Sequence, residues 1–457
     1  MKPDEPGWLK LKPQSGETLR KALRRTLVES ITSGALRPGV SLPASRLLAP
    51  QLGVSRGVVS DAYQQLAAEG YLILRSRVTP VVAPLAAATS PSRSGSARRP
   101  VLYDMTPTSP DASLFPLRRW LAAYDQAVRR APAAALDYRP PQGEESLRSA
   151  LADRLGRTRG VVAEPSNIVI VQGTAQAMDL LMRVMRGRNF ARIGVEDPSH
   201  ATQHQRIRAH ALELVAHPVD RHGVVIDAMD CDAVLVTPAH QFPTGVVLSD
   251  ARRRQLVEWA AFRDALIIED DYDAEFRYDR EPVRAIQGLA PDRVAYVGTV
   301  SKTLAPALRL GWIVAPGSWI DELATTKRLA DDFTPALDQL ALQLFFKSGE
   351  YDRHLRRARA VYAVRRSRLV TTLGERLPEL AVEGIAAGVH LVLPLPAGAD
   401  DKAIASEARD AGVVFQTLSD FSIRSRRPGL VIGYGRLHES AIDGAVDAIR
   451  SVVARHL

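Results

Sequence analysis

Apolar residues recur at helical spacing over Leu19, Leu23, Leu27 and Ile31, with Ala22 and Val28 beside them. The spacing predicts an amphipathic helix ending near Gly34. Leu36-Arg37-Pro38-Gly39 reads as a turn. Ser45 is placed to cap a short helix through Leu52, kinked by Pro50. Gly53 breaks it, and Ser55 is placed to cap a third helix that reaches Glu69 and stops at Gly70. Two helices joined by a tight Gly turn predict a helix-turn-helix. Beyond them, Tyr71–Leu74 and Val78–Val82 are expected to pair as a two-stranded wing around Ser76-Arg77.

The pattern then changes twice. Residues 84–103, rich in Ala, Pro, Ser and Arg, show no apolar period and read as a linker spanning about 25 Å as a random coil. From residue 104 onward, short apolar runs alternate with helical stretches. Ile168–Gln172, Ile193–Val195, Val234–Val236, Leu266–Glu269, Val294–Gly298 and Gly311–Val314 predict strands. Ala175–Met185, Asp250–Arg263 and Asp338–Phe346 predict helices. This alternation implies an α/β domain over 104–457 with a mainly parallel central sheet. Ligands in such folds bind beyond the carboxyl ends of the strands.

Charge separates the same two regions. Residues 1–100 hold fifteen Lys or Arg against six Asp or Glu, whereas the rest of the 457-residue chain holds forty-five of each. The whole excess of +9 thus sits on the small N-terminal module. That points to an anionic partner such as nucleic acid, a solvated basic terminus being the other reading. A recognition helix starting at Ser55 would direct Ser55, Arg56 and Gly57 into a major groove, with Ser60 and Tyr63 farther along it. Arg46 suits a phosphate contact, and Arg75 and Arg77 occupy the wing. No run of eighteen apolar residues occurs, so no membrane partner is expected. The start lacks an apolar signal core, and the single cysteine, Cys231, excludes a disulfide framework. A cytoplasmic setting is the expectation.

Lysine is scarce, eight against fifty-two arginines, and none occurs between Lys21 and Lys302. Lys302 follows an apolar strand, in Thr299-Val300-Ser301-Lys302. An amine nucleophile has to be lysine, because guanidinium does not deprotonate in proteins. Three more features fall at strand ends. Gly173-Thr174-Ala175 opens a helix whose free amides can bind phosphate, and Arg309 lies seven residues past Lys302. Glu269-Asp270-Asp271-Tyr272-Asp273 is acidic, but no completing ligand pattern accompanies it, so no metal is expected. A lysine, a carboxylate and an anion cradle together suit pyridoxal 5′-phosphate.

The order of motifs is more specific still. Leu36-Arg37-Pro38-Gly39, Leu42-Pro43-Ala44-Ser45-Arg46, Leu52-Gly53-Val54-Ser55-Arg56 and Ala62-Tyr63-Gln64-Gln65-Leu66 through Gly70-Tyr71 resemble the winged helix-turn-helix of the GntR family, over residues 14–83. Tyr138 with Pro141-Gln142-Gly143, Gly173 to Leu180, Glu196-Asp197-Pro198, His240-Gln241-Phe242-Pro243-Thr244-Gly245, Glu269 to Asp273 and Gly298 to Gly311 resemble MocR-type regulators. These are GntR proteins fused to a fold-type I aminotransferase-like domain.

The resemblance implies that Lys302 is the Schiff-base lysine, that Asp270 pairs with the pyridine nitrogen and that Tyr272 sits at ring oxygen O3′. It further implies that Thr174, Ala175, Ser301 and Arg309 hold the phosphate. Tyr138 would reach the cofactor of a neighbouring subunit in a head-to-tail homodimer, and a small C-terminal subdomain would span about 345–457. Two positions depart from the pattern. Ser199-His200 stands where a ring-stacking Tyr is common, and imidazole can also stack. Val431 stands where some members carry the Arg for a substrate carboxylate, leaving Arg424, Arg426, Arg427 or Arg436 as substitutes. The implied function is a transcription regulator that binds operator DNA and senses an amine, an amino acid or the vitamer itself. An active aminotransferase with a fused DNA-binding domain is the alternative, and a cofactor-free regulator with a vestigial domain a third.

Overall fold

The computed structural model describes residues 9, 11, 13, 16–75, 78–83, 100–278, 283–424 and 427–456. The chain divides into two units, Met1–Arg98 and Arg99–Leu457.

The first unit holds helices α1 (Leu19–Thr32), α2 (Ser45–Leu52) and α3 (Arg56–Ala68). Thr18 and Ser55 cap α1 and α3 through their hydroxyl oxygens, which accept from the Lys21 and Val58 amides. Ser45 does not cap α2. It is the first helical residue, and Ala44 takes the cap position without a side-chain bond. Pro50 is accommodated inside α2, which ends two residues later at Leu52 and is capped by Gly53, whose φ of 65° is the left-handed value that favours glycine. Leu23, Leu27, Leu36, Leu48, Val59 and Leu66 interlock as one core, which is what holds three short helices together. The wing is shorter than expected: β1 (Leu72–Ile73) pairs antiparallel with β2 (Val81–Val82). Ser76 and Arg77 lie outside the described residues, as does the linker over 84–99.

The second unit opens with β3 (Tyr103–Asp104). Its main sheet contains β4 (Ile168–Val171), β5 (Arg192–Asp197), β6 (Glu213–Asp220), β7 (Gly223–Val224), β8 (Ala233–Val236), β9 (Leu266–Asp271), β10 (Val294–Thr299) and β11 (Gly311–Val314). The strand order is β4-β11-β10-β9-β8-β5-β6-β7. All neighbours from β10 to β6 are parallel, whereas β11 runs antiparallel to both β4 and β10. The strands are near-continuous Val, Ile and Leu because helices cover both faces.

Glycine sets the spacing at one end of this sheet. A Cβ on Gly298 would stand 2.4 Å from the Trp312 indole nitrogen, and one on Gly311 would stand 2.8 Å from the Gly298 carbonyl and 3.0 Å from the Gly173 Cα. The turn after β4 and the turn after β10 are thereby drawn together.

The remainder builds a smaller layer around helix Glu350–Arg376, with β12 (His390–Pro394), β13 (Val413–Val414), β14 (Gln416–Thr417) and β15 (Gly429–Gly433). β15 lies between β12 and β14, antiparallel to both. β3 pairs parallel with β13, and Arg436 pairs with Asp104 at 2.7 Å. The segment just after residue 100 thus packs with the C-terminal layer.

Candidate functional site

The carboxyl ends of β4, β5, β8, β9 and β10 converge on a cavity of about 330 Å³. β4 delivers Thr174 and Ala175, β8 Thr237, β9 Asp270 and Tyr272, and β10 Thr299, Ser301 and Lys302. His200 and Arg206 arrive from the loop and helix after β5, and Arg309 from the turn before β11. Eight of the nine cofactor-site residues read from the sequence therefore line one cavity. Tyr138 does not: it is 85% exposed and packs edge-on against Phe333.

The acidic run divides by strand alternation. Glu269 is buried and accepts from the Ile286 and Gln287 amides. Asp271 accepts from Arg159 at 2.7 Å and from the Tyr296 hydroxyl at 2.5 Å. Both are structural. Asp270, between them, turns to the cavity, and its Oδ1 is buried without a hydrogen-bond partner. Burial first, then the neighbouring Asp271, push its carboxyl up to about 7, while Lys302 works against them. A buried carboxylate oxygen left without a donor calls for a cationic N–H.

Burial holds the Lys302 amine below its ordinary value, with Asp273 and Asp270 opposing that shift. A lysine so placed carries more of the neutral, nucleophilic form. Desolvation against its neighbours, then Lys302 and Arg206, lower the His200 imidazole, although its exposed edge keeps solvent screening on those charges. Its ring tilts against Phe242 at 5.3 Å between centroids.

The cradle lies opposite. Helix Thr174–Gly187 starts after Gly173; the Gln176 and Ala177 amides bond back to the Gly173 carbonyl, which leaves those of Thr174 and Ala175 without an intrahelical acceptor. Arg309 donates to the Gln172 carbonyl and lies against Gly173, where a Cβ would approach its Nη1 to 3.1 Å. Arg206 adds a second cation. Helix amides, a serine and two guanidinium groups are the donor set a phosphate monoester needs. The orphaned Asp270 oxygen and this cradle, with Lys302 beside them, fit pyridoxal 5′-phosphate.

Sequence reasoning missed Arg206, Thr237 and Phe242. Thr237 follows β8 directly, so the strand-end rule could have found it. Arg206 had no signal among so many arginines. Of the four candidates for a carboxylate clamp, Arg426 lies outside the described residues. Arg424 and Arg427 line a different hollow, and Arg436 is held by Asp104. Val431 is fully buried.

In the first unit, Arg46, Ser55, Arg56, Gly57 and Arg75 are exposed and Ser60 is half-buried. Tyr63 corrects the sequence reading. It is 3% exposed and its hydroxyl donates to the Pro43 carbonyl at 2.9 Å, so it is a core residue with no surface to offer DNA.

Residues 19–82 match the bacterial regulatory proteins of the gntR family, and residues 104–449 match aminotransferase class I and II. The chain is 36% identical over 390 residues to the HTH-type pyridoxine biosynthesis transcriptional regulator PdxR of Corynebacterium glutamicum, with 84% of each chain covered. It is 30% identical over 460 residues to the probable rhizopine catabolism regulatory protein MocR of Rhizobium meliloti, covering 95% of this chain and 93% of that one. Among solved structures it is similar to the multiple substrate aminotransferase of Thermococcus profundus, with a TM-score of 0.72, 26% identity, and 78% and 92% of the two chains covered. The kynurenine aminotransferase of Pyrococcus horikoshii gives a TM-score of 0.73 at 25% identity, covering 79% and 92%. The chain therefore belongs to the MocR-type regulators, transcription factors that join a GntR-type DNA-binding domain to a pyridoxal-phosphate-dependent aminotransferase-like domain.

Proposed function

We propose that the cavity at the strand ends holds pyridoxal 5′-phosphate through Lys302, and that a small ligand binding there sets how the chain acts on its operator. The cofactor supplies a reactive carbonyl and an electron-withdrawing ring. Lys302 is the nucleophile, and its depressed basicity keeps part of it neutral. Asp270 accepts from the ring nitrogen and keeps it protonated, Tyr272 bonds to the ring oxygen, and His200 stacks over the ring. Thr174, Ala175, Ser301 and Arg309 hold the phosphate, with Arg206 beside them. The partner's Tyr138 completes the site in a head-to-tail homodimer. Arg46, Ser55, Arg56, Gly57, Ser60 and Arg75 meet DNA, and the protein works in the cytoplasm.

The observation that carries this reading is the convergence of Lys302, the orphaned Asp270 oxygen and the two cations in one cavity. Of the described arginines proposed for a carboxylate clamp, Arg424 and Arg427 line a different hollow, and Arg436, whose charge reaches Lys302, is engaged by Asp104; this favours the vitamer or a simple amine over an amino acid as effector. The relative from Corynebacterium glutamicum, named for pyridoxine biosynthesis, agrees with the vitamer. The ligand shifts DNA binding only by its differential affinity for the two states of the protein.

Lys302→Ala tests the assignment. The variant should fold, lose the visible absorption of the bound cofactor, and lose any cofactor-dependent change in gel shift on the protein's own upstream DNA. An unchanged spectrum removes Lys302 from the role. Turnover with an amino acid and a 2-oxo acid, measured beside the gel shift, separates regulator from enzyme: fast turnover without a specific shift would favour the aminotransferase.

A further inference from the structure

Beside Tyr272, outside the cavity lining, three buried side chains meet from separate elements. His240 comes from the loop after β8, Asp273 from the turn after β9, and His390 is the first residue of β12. None is more than 3% exposed. His240 Nδ1 lies 2.9 Å from Asp273 Oδ2 and 3.2 Å from the Tyr272 hydroxyl, which also lies 3.2 Å from the His240 carbonyl oxygen. His390 Nε2 lies 3.1 Å from the Pro243 carbonyl, and its ring stands 5.0 Å from that of His240. Gly388 has to be glycine here: its φ is +65°, and a Cβ would stand 2.4 Å from His240 Cε1 and 2.5 Å from Asp273 Oδ2.

The donors and acceptors can be assigned from these partners. An ionised carboxylate only accepts, so the 2.9 Å contact puts the hydrogen on His240 Nδ1. That nitrogen then presents an N–H, not a lone pair, to the phenol oxygen. The Tyr272 proton cannot go to Nδ1. Three acceptors then compete for it: the His240 carbonyl at 3.2 Å, long for O–H···O, the Asp273 carboxylate, which pulls on the phenol, and an acceptor inside the cavity. His240 occupies Oδ2 of that carboxylate and so competes with the phenol for it; with the imidazole removed, the carboxylate loses this donor and draws the phenol proton more strongly, away from the cavity.

We propose that His240, oriented by Asp273, is a positioning residue that keeps the Tyr272 hydroxyl free to donate to the cofactor's ring oxygen, and so sets the proton affinity of the bound cofactor. This rests on Tyr272 facing that oxygen. Donation draws charge from the oxygen and loosens its hold on the adjacent proton, so losing the donation raises the cofactor's proton affinity. The charges facing Tyr272 are Asp273, Asp270 and Glu196, and those facing Lys302 are Asp273, Asp270 and Arg436. Among these, Asp273 acts most strongly on both residues. Tyr278 and Tyr434 also feel the Asp273 charge, and His390 stands beside His240.

The same three residues place one ligand atom each within 4.8 Å of one another, so a cation has to be weighed. A zinc ligand needs its lone pair on the metal at about 2.0–2.1 Å. Here Nδ1 is already engaged at hydrogen-bond distance with a carboxylate, which favours the hydrogen-bonded reading.

The test is a pH titration of the visible absorption of the full-length, cofactor-loaded protein. His240→Phe keeps an aromatic ring without the donor. It should raise the midpoint by about one pH unit, a tenfold gain in proton affinity. Tyr272→Phe should move it the same way, and the double variant should add nothing to Tyr272→Phe. His240→Asn, which restores an N–H near the Nδ1 position, should return the midpoint to within about threefold in proton affinity. Should His240→Phe fail to fold, His240→Gln, which lacks a donor at that position, should show the same rise. If Tyr272→Phe moves the midpoint and neither donor-lacking His240 variant does, the inference fails and the Tyr272 reading stands. If Tyr272→Phe moves nothing, the Tyr272 reading falls and the inference with it. Stoichiometric zinc in the purified protein, lost in the His240 variants, would overturn the proposal in favour of a metal site.

Discussion

Asp270 sits in a folded environment far from what its chemistry prefers. Its carboxyl is raised from 3.8 to about 7, chiefly by burial. Without cofactor, the folded chain binds that proton more tightly than the unfolded chain does. Between those two values the stability that this group contributes therefore falls as pH rises, and the contribution is least favourable above 7. Asp270→Asn removes this contribution. The cofactor-free variant should melt higher than the cofactor-free wild type at pH 8, with the gap closing toward pH 4. Its cofactor should be held weakly, since the ring nitrogen loses an ionic partner. Melting curves of both apo proteins at the two pH values check this, and a gap that does not change with pH would show that Asp270 carries no such burden. Lys302 could be picked out of the sequence because few side chains can be an amine nucleophile, whereas Asp270, one of four carboxylates in five residues, was singled out only by the family resemblance. Arg206 could not, because in a chain with fifty-two arginines one more in a helix carries no signal. Tyr63 was misjudged although the signal was present: Val59, Ala62, Tyr63 and Leu66 follow the helical apolar period and are all buried.

Elements were legible where their period was clean. The strand read as Gly311–Val314 has those bounds in the structure, and α3 starts at its cap as expected. The reversed direction of β11 was not legible, because an all-apolar tetrapeptide carries no orientation. β6, interrupted by Pro218 and half-exposed, gave no buried-strand pattern. What α3 makes testable is its exposed first turn. The Ser55 hydroxyl is engaged by the Val58 amide, so Arg56 is the free cation at the helix start and makes no ion pair among the described residues. Arg56→Ala should weaken operator binding by about fivefold or more if it reads a base edge, as a bidentate contact of about 1–3 kcal/mol would. If it meets phosphate, affinity should fall uniformly across sequences and the salt slope should drop by about one. Fluorescence anisotropy at several salt concentrations distinguishes the two. Unaltered affinity throughout would remove α3 from the interface.

At the scale of the molecule, helix Leu117–Arg130 poses the remaining question. One face carries Trp120, Ala123 and Ala127 into the core, with Trp120 meeting Phe345 edge-on at 5.8 Å. The other face exposes Leu117 at 57%, Leu121 at 55% and Val128 at 47%. Leu136 and Tyr138, shortly after this helix, are also exposed. Single exposed leucines are ordinary, but a helical stripe of them followed by an 85% exposed tyrosine calls for a partner. The proposed homodimer supplies one and would carry Tyr138 to the neighbouring cavity. Leu121→Asp puts a charge on the stripe at a position that contributes nothing to the monomer's core, so the fold should survive. Sedimentation at micromolar concentration should then report a monomer in place of a dimer. Cofactor retention should fall with it, because each site loses a residue supplied from across the interface. Tyr138→Phe should leave the dimer intact and weaken cofactor retention alone. A dimer that survives Leu121→Asp would place the interface elsewhere, and a monomer that keeps its cofactor undiminished would show that each site is complete within one chain.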